Sequence, residues 1–442
     1  MPRMVPLIVP REAHNLSRRD VDPDALKVLY RLKDAGFKAY IVGGGVRDLL
    51  LGRRPKDFDI GTDAHPYQIK KLFRNCFIIG RRFRLAHVRF GTKVVEVATF
   101  RRQVTEEEQA EADAQAAAHA AAPPHAHAGA AAPGTGAPHR ADRDHLLHRD
   151  NTFGTAEEDA FRRDFTLNAL FYDIATFSII DYVGGLEDLR ARVIRCIGDP
   201  VVRFREDPVR MQRAVSFAAR LGFTIDPPVL EAIAGERHRI ALAAPARLAE
   251  EYYKILRSGA AERTFRDLHR LGLLEPLSDV LHAHAGPALW ASLARLDACR
   301  LASEAPPAAL TNAVLLGSLI VPLGFSQAGW PAWMEHEGRP GLNLGVLPLA
   351  RRDVERIHQV LMLQRRLREP SRSPHARRVL VQRSAFPDAL TWLELHGDAP
   401  EKLAAWREHG AAALPGSGEP RPRRRRRRGR RRPGFPSRKA PE

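Results

Sequence analysis

Residues 41–60 read Ile41-Val42-Gly43-Gly44-Gly45-Val46-Arg47-Asp48-Leu49-Leu50-Leu51-Gly52-Arg53-Arg54-Pro55-Lys56-Asp57-Phe58-Asp59-Ile60, and this stretch decides the fold of what surrounds it. Ala39 to Val42 is a short β-type run that ends in three glycines, which predicts a strand entering a tight turn. Val46 to Leu51 then predicts a short helix closed by Gly52, and Phe58 to Thr62 a second strand. Side chains alternate along a strand, so Asp57 and Asp59 are expected to project from one face, where hard oxygen ligands can share divalent cations such as Mg2+. An isolated acidic pair at a strand end is also commonly just solvated surface. The glycine run upstream supplies a context for it: exposed backbone N–H groups, a helix N-terminus and the Arg47 fork suit a phosphate chain.

Outward from this stretch, Leu26, Leu29 and Leu32 recur at helical spacing between Asp22 and Gly36. Pro66 to Phe73 predicts a helix, and Cys76 to Ile79, Leu85 to Phe90 and Val94 to Phe100 predict strands, giving an α/β head of mixed strands. Glu96 interrupts the apolar strand Val94 to Ala98, where an unpaired carboxylate would be costly. It either completes a metal site or is an edge-strand acid paired with an arginine such as Arg101. His87 alternates with Leu85 and Arg89 and reads as a structural histidine. Glu106 to His148 turns to Ala, His, Gly and Pro, which predicts a mobile insertion without a metal site. After Asn151 the pattern is mostly helical to about residue 410, including Glu157 to Tyr172, Asp207 to Leu221, Pro227 to Ile233, Pro245 to Ser258 and Ala261 to Leu271. No repeat of solenoid length is evident.

With 442 residues, two or three domains are expected. The net charge is +18, and residues 421–439 alone carry eleven Arg and one Lys with no acid. The unbroken run Arg423, Arg424, Arg425, Arg426, Arg427, Arg428 lies in that tail and would attract polyanions by counterion release, although a merely solvated tail has the same composition. Cys76, Cys196 and Cys299 have no paired spacing, which argues against a disulfide framework or a thiolate zinc site. The apolar N-terminal stretch is broken by Pro6 and Pro10 and is too short for a signal or a span, so a soluble cytoplasmic protein with no membrane partner is expected.

Three motifs occur in order: GGGVRDLLLG with Asp57-Phe58-Asp59, RRDFTLNAL at 162–170, and EDPVRMQR at 206–213. Together they resemble the class II nucleotidyltransferase family of bacterial poly(A) polymerases and CCA-adding tRNA nucleotidyltransferases. The resemblance implies an α+β protein, with an N-terminal nucleotidyltransferase α/β head on a mixed sheet followed by an all-helical neck, body and tail. The corresponding division is an arm (1–22), head (23–190), neck for base and RNA binding (191–260), RNA-binding body (261–412) and Arg-rich tail (413–442). It implies that Asp57 and Asp59 bind two Mg2+ ions, or Mn2+ in their place, and that Gly43, Gly44 and Arg47 contact the triphosphate of ATP. Arg163 and Asp164 would hold the ribose side, with Asp164 or Glu96 alternatively a third catalytic carboxylate. Asp207 and Arg210, three apart, would present an acceptor and a donor to the base edge, with Arg213 nearby, although the same spacing makes an ordinary surface ion pair. The family usually has Arg where Ser216 stands, a departure from the pattern in that turn.

Residues 78–88 look like the adenylating branch's second motif, with Arg81-Arg82 before Phe83 and then His87-Val88. The expected function is template-independent addition of AMP to RNA 3′ ends, of mRNA, small RNA or tRNA. A CCA-adding enzyme and an inactive RNA-binding protein are the alternatives. Protein partners in RNA degradation or an RNA chaperone stay open.

Overall fold

A computed structural model of the chain describes residues 5–80, 84–103, 152–302, 309–324, 335–336, 339–340, 344–370 and 373–413. The expected insertion at 106–148, the Arg81-Arg82-Phe83 run and the tail containing Arg423 to Arg428 lie outside the described residues.

The head rests on a mixed eight-stranded sheet of β1 (Leu7–Val9), β2 (Ala39–Val42), β3 (Asp59–Thr62), β4 (Cys76–Ile79), β5 (Leu85–Phe90), β6 (Lys93–Thr99), β7 (Leu170–Asp173) and β8 (Ser178–Asp181). Their order is β1-β8-β7-β2-β3-β6-β5-β4. The glycine-terminated strand β2 sits centrally, antiparallel to β3 with Val42 opposite Asp59 and to β7 with Val42 opposite Phe171. Strand β3 runs parallel to β6, with Ile60 opposite Val97. The inner faces of Ile41, Ile60, Ala86, Val88 and Val97 are fully buried. Gly61 has to be glycine: a Cβ there would meet Phe100 Cε1 at 2.6 Å and Val42 Cγ1 at 2.9 Å.

Helix α1 (Pro23–Asp34) starts where Asp22 accepts from the N–H groups of Asp24 and Ala25, has Pro23 in its first turn, and buries Ala25, Val28, Leu29 and Leu32. Helices α2 (Gly44–Leu50) and α3 (Pro66–Leu72) follow β2 and β3. Helix α4 (Ala156–Phe161) opens with a capping box between Thr155 and Glu158.

The helix expected over Glu157 to Tyr172 stops at Phe161; a 3-10 turn (Thr166–Asn168) and β7 replace its second half. Leu170, Phe171 and Tyr172 are all fully buried, so the run is apolar on both faces and displays no period that separates strand from helix. The N-terminal arm likewise contributes β1, antiparallel to β8, and so belongs partly to the head sheet.

Beyond the sheet come α5 (Gly185–Ala191), α6 (Pro200–Glu206), α7 (Val209–Leu221), α8 (Pro227–Glu236) and α9 (Pro245–Leu256), with β9 (Val193–Ile194) and β10 (Thr224–Ile225) paired in parallel. The helix expected from Asp207 begins only at Val209: Pro208 disfavours helical backbone before it, and Asp207 is extended at φ −149° and ψ 92°. Nine further α-helices among the described residues run from Ala261–Arg270 to Pro400–Ala413. Their Leu268, Leu293, Leu316, Val360 and Trp392 join the same buried apolar cluster as the head's Ile41 and Ile60. All three cysteines are free, and among the described residues no helix is long and apolar enough to cross a membrane.

Gly61→Ala should lower unfolding stability by about 1–3 kcal/mol through overpacking. Urea denaturation checks it; an unchanged midpoint would show that Phe100 and Val42 yield without strain.

Candidate active site

The acidic residues meet at the start of the parallel pair β3–β6. The register that sets Ile60 beside Val97 sets Asp59 beside Glu96, and Glu96 lies opposite His87 on β5. Strand β6 is interior to the sheet, so Glu96 is not an edge acid, and its carboxylate faces the His87 imidazole, with Nε2 3.6 Å away, rather than Arg101. Asp57 precedes β3 in a loop instead of lying on the strand; its carboxylate is exposed and turned to Lys56 at 3.4 Å. Asp59 is exposed to solvent yet flanked by protein. Burial first, then the Glu96 carboxylate, push its pKa up to about 6, with Asp57 adding to the rise and Arg163 and Lys254 opposing it. Among the described residues no three His, Cys, Asp or Glu side chains close on a metal position as they stand. The donor chemistry nevertheless fits a hard cation: Asp59 and Glu96 are fixed on adjacent strands with their repulsion only partly offset by Arg163 and Lys254, and Asp57 pairs with an exposed lysine.

The glycine turn is shaped from behind. Gly43 has φ +69°, and a Cβ on it would lie 2.8 Å from Arg163 Nη1. Arg163 donates to Asp159 Oδ2 and to the Asn168 carbonyl, and its guanidinium stacks over Phe171. Arg47, expected at the triphosphate, is 3% exposed. It donates to Asp48 and, at 2.6 Å, to Asn168 Oδ1, and lies under Gly44. In this arrangement Arg47 braces the turn from beneath.

Asp164 is turned away from the acidic cluster. Its Oδ2 accepts from Arg213 Nε and Nη2, at 2.8 and 2.7 Å, and its Oδ1 accepts from the Phe165 N–H and Asn168 Nδ2. Burial alone would raise its pKa, but the Arg213 charge and these hydrogen bonds hold it at about 2. Both of its oxygens are thus engaged by protein donors. Arg213 also binds Glu251, 2.8 Å away on α9.

Asp207 and Arg210 do not pair with each other. Asp207, at the α6 C-cap, pairs with Arg247 at 2.6 Å, while Arg210 donates to Glu206 and to the Arg203 carbonyl. Motif reading missed α9 as a wall of the site. Its Arg247, Glu251 and Lys254 fall at i, i+4 and i+7 on one face and address Asp207, Arg213 and, through its charge, Asp59. That polar spacing was the available signal. Asn168, which joins Arg47 to Asp164, was also missed; its signal is a buried amide in an apolar run. The turn at Ser216 holds no arginine, yet the guanidiniums of Arg47, Arg213 and Arg220 all lie within 5.1–5.3 Å of the Phe217 ring centroid.

Comparison with known proteins identifies residues 39–195 as a Poly A polymerase head domain, and residues 222–284 match a probable RNA and SrmB-binding site of polymerase A. Poly(A) polymerase I of Salmonella typhi is 48% identical over 270 residues, which is 61% of this chain and 53% of that protein. The CCA-adding enzyme of Lactobacillus helveticus is 35% identical over 236 residues, 53% of this chain and 50% of that protein. The chain thus spans about half the length of these curated relatives. Among solved structures, the Bacillus stearothermophilus CCA-adding enzyme in complex with CTP superposes with a TM-score of 0.59 at 26% identity, covering 89% of this chain and 83% of that one.

Two stability measurements separate the roles of Asp59 and Asp164. The pKa of Asp59 is raised from 3.8 to about 6 in the fold, so its charge costs stability above that pH and nothing once it is protonated near pH 3. Without divalent ions, Asp59→Asn should melt higher than the parent at pH 7.5 and together with it at pH 3.5; coincident melts at both would refute the assignment. Asp164→Ala leaves Arg213 underpaired and should cost about 3–5 kcal/mol in urea at neutral pH. A stabilised variant would instead mark Asp164 as a repelled metal ligand.

Proposed function

We propose that the chain, which resembles poly(A) polymerases and CCA-adding nucleotidyltransferases, is a template-independent polynucleotide adenylyltransferase, transferring AMP from ATP to RNA 3′ ends in the cytoplasm. The observation that carries the reading is the Asp59–Glu96 carboxylate pair on adjacent parallel strands, with Asp57 beside it and the Gly43 turn at the end of the neighbouring strand. Divalent cations, Mg2+ or Mn2+, would be held by Asp57 and Asp59, with Glu96 close by. The chemistry they supply when bound is acidification of the RNA 3′-hydroxyl and screening of the triphosphate, for in-line attack with loss of pyrophosphate.

The residues of the chain do the positioning. Gly43 and Gly44 let Arg163 and Arg47 pack against the turn with no Cβ between, and these arginines hold it from behind and beneath for phosphates on its other side. Asp207 and Arg210 offer a carboxylate and a guanidinium to the base edge in place of a template strand. Each first gives up a protein partner, Arg247 or Glu206, so a base that satisfies both groups is preferred over one that strands either. The RNA strand is recognised through phosphate by the helical region, including segment 222–284, and by the arginine-rich tail.

Higher identity to a poly(A) polymerase I than to a CCA-adding enzyme, 48% against 35%, supports adenylation over CCA addition. The second reading, CCA addition, is favoured by the fold shared with a CTP-bound CCA-adding enzyme. Purified protein given ATP alone, CTP alone or both, with an unstructured RNA primer or a tRNA lacking its 3′ terminus, should build long A tails from ATP alone. Addition that stops after three nucleotides on the tRNA would establish the second reading. Asp57→Ala and Asp59→Ala should each reduce transfer by roughly a thousandfold or more while the fold persists; near-parental rates would refute the metal assignment.

A further inference from the structure

We propose that Arg203 is a positioning residue that locks the loop behind the glycine turn to the base-reading segment, and that this lock sets which nucleotide is selected. The proposal rests on the reading of Asp207 and Arg210 given above. Arg203 lies on α6 and is 6% exposed. Its Nη2 donates to the carbonyls of Arg162 at 2.8 Å and Arg163 at 2.5 Å, and its Nη1 to Glu206 Oε2 at 2.9 Å. The same Glu206 oxygen accepts from Arg210 Nη1 at 2.8 Å, and Arg210 also donates to the backbone carbonyl of Arg203. One buried guanidinium therefore fixes the backbone from which the Arg163 side chain reaches Gly43, while its main chain and its acidic partner fix Arg210.

Stability alone does not account for this choice of residue. A buried guanidinium is costly, and an apolar side chain of similar volume is often at least as stable in such a place. Arg203 Nε has no hydrogen-bond partner among the described residues, so even its donors are not all used. Burial, and then the nearby Arg210 charge, lower its pKa against the pull of Glu206, so the cation is held there at a disadvantage. What arginine provides that an apolar residue cannot is a planar fork spanning two carbonyls and a carboxylate at once. The three acceptors belong to the two segments whose relative position decides how the base meets Asp207 and Arg210 once the phosphates occupy the glycine turn.

The test compares the full chain with Arg203→Lys and Glu206→Gln, measuring kcat/KM for ATP and for CTP on one RNA primer, with thermal melting alongside. Lysine keeps the charge but cannot span the three acceptors. Arg203→Lys should reduce the ATP-over-CTP preference by about tenfold or more, as expected for small misplacement of a reading group, and leave the KM for RNA near the parental value. Glu206→Gln keeps an acceptor and should shift the preference in the same direction by less. Parental selectivity in both variants, even with slower turnover, would reduce Arg203 to a structural role and overturn the proposal. If Arg203→Lys does not fold, Glu206→Gln decides by the same ratio. A parent chain that transfers neither nucleotide would remove the underlying functional reading, an outcome distinct from unchanged selectivity.

Discussion

The buried pairing of Asp164 with Arg213 is the constraint on which the site depends. Taking either charge out of water costs several kcal/mol, repaid only when its remaining hydrogen-bonding capacity is met. Asp164 meets this with Asn168 and the Phe165 N–H, and Arg213 with Glu251. Because Asn168 also accepts from Arg47, and Arg47 donates to Asp48, one connected chain of polar contacts runs from α9 through α7 to the helix behind the glycine turn. The head and the neck are consequently held in register by groups that cannot be separated without leaving a charge unpaired. An apolar interface would tolerate sliding; this one tolerates very little.

The same arrangement divides labour between two aspartates of one chemistry. Asp164, saturated with donors, is held at about 2, whereas Asp59, beside Glu96 and Asp57, is driven up to about 6. Environments that push like groups apart in this way assign them different tasks. The first is charged at any pH the protein meets and can anchor. The second carries, near neutrality, a negative charge that Arg163 and Lys254 only partly offset and that a bound cation would relieve.

What could be read from the sequence was whatever local pattern encodes. The β2 strand, the glycine turn and α2 are contiguous, and α1 announces itself through Asp22, Pro23 and three spaced leucines. Strands β7 and β8 were hidden because Leu170 to Tyr172 is buried on both faces, and β1 because three residues at an edge carry little signal. In the site, Asp59 and Glu96 were found as residue types, but their adjacency depends on a parallel register linking residues 37 positions apart. Spacing misled at Asp207 and Arg210: three positions suggest one helical face, yet Pro208 breaks the backbone between them and each turns to a different partner. Arg247, Glu251 and Lys254 carried a helical period that only tertiary structure turns toward Asp207, Arg213 and Asp59.

Ser216 follows from the same electrostatics. Positions 213, 216, 217 and 220 share a face of α7, and Phe217 already gathers the guanidiniums of Arg213, Arg220 and Arg47. Arg220 makes no ion pair among the described residues. Burial and then the Arg47 charge lower its pKa to about 10 despite the opposing Asp48, and Arg213 and Arg53 add to the fall. An arginine at 216 would bring another cation to a ring whose neighbours already repel. Serine leaves that turn neutral, and Arg220 one turn later supplies the third guanidinium at the Phe217 ring.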